Sequence, residues 1–168
     1  QMCIRDRVMR ELPERRPTYV LKRGVYSSPD KNRKVEPGPP SRLLPFDDPY
    51  PRDRLGFAQW LTHPDHPLTA RVTVNRFWQL VFGRGIVSTA NDFGLQGVYP
   101  THPDLLDYLA RTFVESGWDV RALFKTIVMS QTFRRDSNAK PEQLEKDPHN
   151  KLLARGPSGA MTAEMLRD

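Results

Sequence analysis

From residue 53 onward apolar residues recur at helical spacing, whereas before it they follow no sustained period. Asp53 is placed to cap a first helix over residues 53–61, with Leu55, Ala58, Trp60 and Leu61 as its apolar set. The run Thr62-His63-Pro64-Asp65-His66-Pro67 stops it. The spacing predicts the longest helix over residues 68–82, with Pro67 near its first position. Ala70, Val74, Phe77 and Val81 form one stripe, and Arg71, Asn75, Trp78 and Phe82 the next. Apolar residues cover most of its circumference, which marks it as the central helix of a core. Gly83 and Gly85 end it. A loop over residues 86–99 follows, long enough to be either ordered by its own contacts or functional. Thr101 and Asp104 have capping-box spacing for a third helix, whose buried stripe is Leu105, Leu106, Leu109 and Phe113. Gly117 closes that helix, and Asp119 caps a fourth with Val120, Leu123, Phe124, Ile127 and Val128 inside. So short a connection makes these two helices neighbours.

The flanks read differently. Residues 18–21 form a short β-prone run, residues 27–34 have turn chemistry, and Val35 begins a return strand of a small hairpin. Residues 37–52 hold six prolines and read as extended linker. Towards the other end, residues 141–146 offer one weak turn, residues 147–150 a firm one, and Leu152 and Leu153 a return contact to the core. Thr162 is placed to cap a last helix cut off by the end of the sequence, with Glu164 and Arg167 as a pair one turn apart. Residues 1–7 resemble a cloning or assembly scar, so the chain reads as a fragment. The expected organisation is an arm and Pro-rich linker over residues 1–52 and a helical domain over residues 53–168. The fold class is mainly α, a helical domain with a small N-terminal β-hairpin or extended arm.

Charge sharpens this division. Residues 1–52 carry 12 Lys and Arg against 7 Asp and Glu, whereas residues 53–168 carry 14 against 13. The basicity therefore belongs to the arm, where the cations are scattered among prolines and form no reading element for nucleic acid. The single cysteine, Cys3, can form no internal disulfide and no haem-attachment motif by itself. No stretch is apolar for long enough to span a bilayer.

Candidate chemistry is sparse. His63 and His66 have ligand-like spacing, but both are bracketed by prolines and lack a third donor nearby, so turn roles explain them and no metal is expected. Asp92-Phe93-Gly94 matches the magnesium-binding triplet of protein kinases in letters alone, because the glycine-rich loop and the catalytic loop are missing. A structural role fits better: Phe93 enters the core, Gly94 permits a turn and Asp92 accepts hydrogen bonds. Arg71 and Asn75, one turn apart on an otherwise apolar helix, must be paired or face a pocket, with Arg76 beside them. Their candidate partners are Asp92, Asp104 and Asp107. His102 near Asp104 and Asp107 has the makings of a general base with an orienting carboxylate, although a place at a helix start explains it equally.

A longer set of motifs carries a resemblance. Residues 68–78 lead into Phe82-Gly83-Arg84-Gly85-Ile86-Val87, then Asn91-Asp92-Phe93-Gly94 and Thr101-His102-Pro103-Asp104-Leu105-Leu106-Asp107. Gly117-Trp118-Asp119, Ser130-Gln131-Thr132-Phe133-Arg134, Asp147-Pro148-His149-Asn150 and Ala163-Glu164-Met165-Leu166-Arg167-Asp168 follow in order. Over residues 18–168 the chain resembles the C-terminal domain of unknown function in planctomycete-type cytochrome c domain proteins. The resemblance implies a large periplasmic or secreted multidomain parent, with haem c in an upstream domain and no cofactor in this segment. It brings no catalytic residue, because no activity is established for the domain. Two positions depart from it: His66 stands where Asn is usual, and Ser158-Gly159-Ala160-Met161 replaces an Arg-Leu-containing approach to the last motif.

Two functions follow as expectations. One is a non-catalytic module that meets other domains of the same polypeptide. The other is an enzyme or ligand-binding domain, with polysaccharide as its substrate class and its polar residues lining a cleft beside Trp78 and Trp118. Neither involves nucleic acid or a membrane span.

Overall fold

A computed structural model describes residues 12–46 and 49–159, together with Ala163 and Arg167. The expected scar, the cap at Thr162 and the pairing of Glu164 lie outside the described residues. By internal packing the chain divides into two units, Gln1–His63 and Pro64–Asp168.

In the first unit, β1 (Thr18–Leu21) and β2 (Pro29–Val35) pair antiparallel, with Thr18 opposite Val35, Tyr19 opposite Lys34 and Leu21 opposite Pro29. The hairpin stands, but its return strand begins six residues before the expected place, and Val35 ends it. The reversal is made by a short 3₁₀ turn at Lys22–Gly24, where Arg23 and Gly24 both take positive φ. The ribbon is mostly exposed, so β2 carries no alternation by which the sequence could reveal a strand.

Helix α1 (Arg54–Leu61) starts where expected, with Asp53 Oδ1 accepting from the Gly56 amide at 2.9 Å. Its buried face is narrower than the spacing implied: Trp60 is buried, whereas Leu55 and Ala58 are exposed. Trp60 packs back onto the segment read as linker. Its indole Nε1 donates to the Leu44 carbonyl at 2.9 Å, its ring meets Phe46 edge-on, and Phe46 stacks on Tyr50. Gly56 is required by this approach, since a Cβ there would lie 1.8 Å from the Pro51 carbonyl oxygen.

The second unit is helical. Helix α2 (Thr69–Phe82) packs with α3 (Pro103–Glu115), and α4 (Val120–Val128) leans on both. Their shared core holds Val74, Trp78, Ile86, Val87, Leu106, Leu109, Phe113, Leu123 and Ile127. The expected central role of α2 holds, with Ala70, Val74, Asn75 and Trp78 buried along it. Its N-terminus is satisfied by a histidine, because His66 Nδ1 lies 3.3 Å from the Leu68 amide and 3.2 Å from that of Thr69. Gly83 closes it at φ 75°. The expected capping box of α3 does not form. Pro103 occupies its first turn, so His102 takes the cap position, and the Thr101 hydroxyl turns instead to the Ile86 carbonyl at 3.3 Å. At α4 the capping is as expected, with Asp119 Oδ1 accepting from Arg121 and Ala122. Val120 is nevertheless exposed, and Leu123 and Ile127 carry the burial. A short α5 (Pro141–Lys146) follows, and Leu153 reaches the core whereas Leu152 stays in solvent. Among the described residues no helix is long and apolar enough to cross a membrane.

Candidate functional site

The polar residues singled out along α2 do not converge on one another. Arg71 Nε meets Asp107 Oδ1 on α3 at 2.6 Å, and a terminal guanidinium nitrogen of Arg71 donates to the Pro67 carbonyl. The guanidinium beside it holds the Asp107 carboxyl below its ordinary range. Both side chains remain substantially open to water, so the pair contributes little stability, on the order of 1 kcal/mol or less. Asn75 is fully buried and bonds to backbone, not to a carboxylate. Its Nδ2 donates to the Val87 carbonyl at 2.9 Å, and its Oδ1 accepts from the Val87 amide at 2.8 Å. Gly85 lies against this amide, and a Cβ there would stand 2.7 Å from Nδ2. Gly85 is therefore needed for close approach. Arg76 reaches Asn91 Oδ1 only at 3.5 Å, on the surface. Asp104 is exposed in the first turn of α3.

The long loop is ordered by its own bonds. Asp92 Oδ1 accepts from the Gly94 amide at 2.7 Å, and the Thr89 hydroxyl donates to the Asp92 carbonyl while accepting from the Val98 amide. Gly97 closes the ring against the Asp92 carbonyl, which a Cβ would meet at 2.2 Å. Phe93 packs against the core, as its place in the sequence implied.

Of the candidate polar residues, His102 lines a concavity. A cleft of about 30 Å³ lies between the C-terminal end of α2, the start of α3 and the turn after Asp147. Trp78 and Phe82, stacked at 4.2 Å, form its apolar wall. Arg84, His102, His149 and Lys151 also line it, and no acidic residue does among the described residues. Arg84 Nε is buried, with no hydrogen-bond partner among the described residues. His102 Nδ1 lies 3.0 Å from the Thr101 hydroxyl.

A family model described as a protein of unknown function, DUF1553 (PSD1), matches residues 53–168. The chain belongs to this family. No curated protein and no solved structure matches it.

Two features of the DUF1553 segment are not legible in its sequence. One is the cationic side of the cleft. Arg84 lies between two glycines that looked like helix punctuation, and His149 and Lys151 sat in a turn. The other is Asp147, a buried carboxylate that organises that turn. Its Oδ1 accepts from the Lys151 amide and its Oδ2 from the Leu152 amide, each at 2.8 Å. Arg155 braces the same turn through the Asp147 and Pro148 carbonyls. Burial alone would push the Asp147 carboxyl up. The amides of Leu152 and Lys151 and the charges of Arg155 and Lys151 outweigh it, leaving the group below its ordinary value of 3.8. A depressed carboxyl stabilises the fold above its unfolded value, and that contribution disappears as pH falls through the folded value. Asp147→Asn, with one acceptor oxygen in place of two, is expected to cost about 1–3 kcal/mol at neutral pH. Its stability should also fall less steeply than that of the parent chain below about pH 4. Urea denaturation at pH 7 and pH 3 measures both effects, and equal acid sensitivity in the two proteins would remove Asp147 from the account.

Proposed function

We propose that the DUF1553 segment is a non-catalytic helical module that presents an interaction surface to other domains of a larger extracytoplasmic polypeptide, beside a c-type cytochrome domain. The extracytoplasmic and cytochrome context rests on the motif resemblance over residues 18–168. The interaction role rests on one observation, the ordered loop over residues 86–99. Its backbone is held by the Thr89, Asp92 and Gly97 contacts, yet it displays Leu95 at 107%, Tyr99 at 91% and Val98 at 53% exposure. An ordered backbone holding apolar side chains out in water is the physical form of a docking surface. The distribution of polar groups agrees with a module, because Arg71, Asn75 and Asp92 are each engaged in bonds within the fold. Against polysaccharide chemistry, the cleft at His102 has no room for a sugar ring.

Hydrogen exchange tests the reading. In the full-length parent the amides of Leu95, Val98 and Tyr99 should exchange at least about tenfold more slowly than in this chain alone. Leu95→Asp should abolish the difference. Equal exchange in parent and isolated chain would show that no neighbouring domain covers the loop.

A further inference from the structure

We infer that the cleft between α2, α3 and the Asp147 turn is a binding site for the carboxylate group of a small ligand. The inference goes beyond the interaction role, which concerns a different surface, so either can fail alone.

Charge comes first. Arg84, His102, His149 and Lys151 line one small concavity with no acidic residue among the described ones. Arg84 and Lys151 bring two fixed positive charges to a concavity that no acidic residue lines, and an anion placed there gains from both. Asp147 is the carboxylate of the adjoining turn, but its two oxygens accept from the Lys151 and Leu152 amides, and it does not line the cleft. The second observation is the buried Arg84 Nε, which has no acceptor among the described residues. A buried guanidinium N–H without an acceptor is costly, and a carboxylate that draws the Arg84 fork toward the cleft supplies one.

Size selects the ligand class. A water needs roughly 10–15 Å³ of such space. The cleft offers about 30 Å³, room for a group of two oxygens and not for a sugar or a nucleotide. Trp78 and Phe82 make one wall apolar, which suits the carbon attached to a carboxylate better than a fully hydrated inorganic ion. The backbone is also fixed around the space. Thr101 is tied to the Ile86 carbonyl through its amide at 2.9 Å, and Asn150 bonds to Arg155 at 2.8 Å, so both rims are set before a ligand arrives.

The test titrates the full chain with sodium acetate at constant ionic strength, with sodium chloride and sodium phosphate as separate arms. The readout is the imidazole NMR signals of His102 and His149, with Trp78 fluorescence alongside. Acetate should produce a saturable shift of both imidazoles that chloride does not reproduce. Arg84→Met should weaken the acetate response by about tenfold or more, as expected for the loss of a charge-assisted hydrogen bond. Lys151→Gln, a change at an exposed position, should weaken it by a few-fold and decides the matter if Arg84→Met fails to fold. A linear response, or the same response to chloride, overturns the site. Phosphate binding more tightly than acetate overturns the assignment to a carboxylate.

Discussion

Replacing Asn75 by Ala should destabilise the helical unit by about 2–5 kcal/mol, a large share of the 5–15 kcal/mol typical of a folded domain. The reason is not the loss of one ordinary hydrogen bond. Asn75 is fully buried and satisfies both backbone groups of Val87, donating to its carbonyl and accepting from its amide. Without the side chain, a buried donor and a buried acceptor both lose their partner, each at about 1–3 kcal/mol. Val87 lies in the core cluster with Ile86, so the strain falls where the chain leaves α2 and enters the long loop. Asn75→Asp is the sharper variant. Its carboxylate keeps the acceptor for the Val87 amide but cannot donate to the Val87 carbonyl, and it places a charge in a buried position. It should be at least as damaging as Asn75→Ala at neutral pH and partly relieved in acid, when the carboxyl gains a proton it can donate. Urea denaturation of the two variants at pH 7 and pH 4.5 tests this. A loss below about 1 kcal/mol for Asn75→Ala would mean that water replaces the amide.

The same residue shows how far the sequence could be read. A polar group on an apolar helix had to be satisfied, and that much follows from desolvation alone. That its partner is backbone twelve residues along, and not a carboxylate, follows from the tight path through Gly85, which periodicity does not encode. The helices, their order and the caps at Asp53 and Asp119 were legible because local chemistry determines them. The α3 cap lies one residue beyond Thr101 because two local signals compete there, a Thr cap and a Pro at the first turn, and the Ile86 carbonyl decides between them. β2 was obscured for a different reason: a strand with no buried face carries no pattern. The cationic cleft was invisible in sequence because its members come from three separated segments, around residues 84, 102 and 150. Each looks like punctuation in its own neighbourhood. The motif order that carries the family resemblance runs through all three segments, so that order was the one signal pointing there.

The N-terminal unit invites the second large effect. Trp60→Ala should cost about 3–5 kcal/mol in the stability of that unit, the range for removing a buried large aromatic. The indole is 2% exposed, stacks on Phe57 at 5.7 Å, meets Phe46 edge-on at 6.3 Å and donates to the Leu44 carbonyl at 2.9 Å. A helix of eight residues is marginal in water without tertiary contacts, and α1 has only a narrow buried face consisting of Gly56 and Trp60. Removing the ring therefore removes the main reason for α1 to stay helical and for the Pro-rich segment to stay folded over it. Trp60→Phe separates the two contributions. It keeps most of the aromatic surface but leaves the Leu44 carbonyl without its donor, and should cost about 1–2 kcal/mol. Exchange of the α1 amides reads the result directly. In Trp60→Ala they should lose nearly all protection, and in Trp60→Phe only part of it. Full protection in Trp60→Ala would mean that the Asp53 cap and the close approach at Gly56 hold the helix without the ring, and that the proline-rich segment is positioned by its own stiffness instead of by the aromatic cluster.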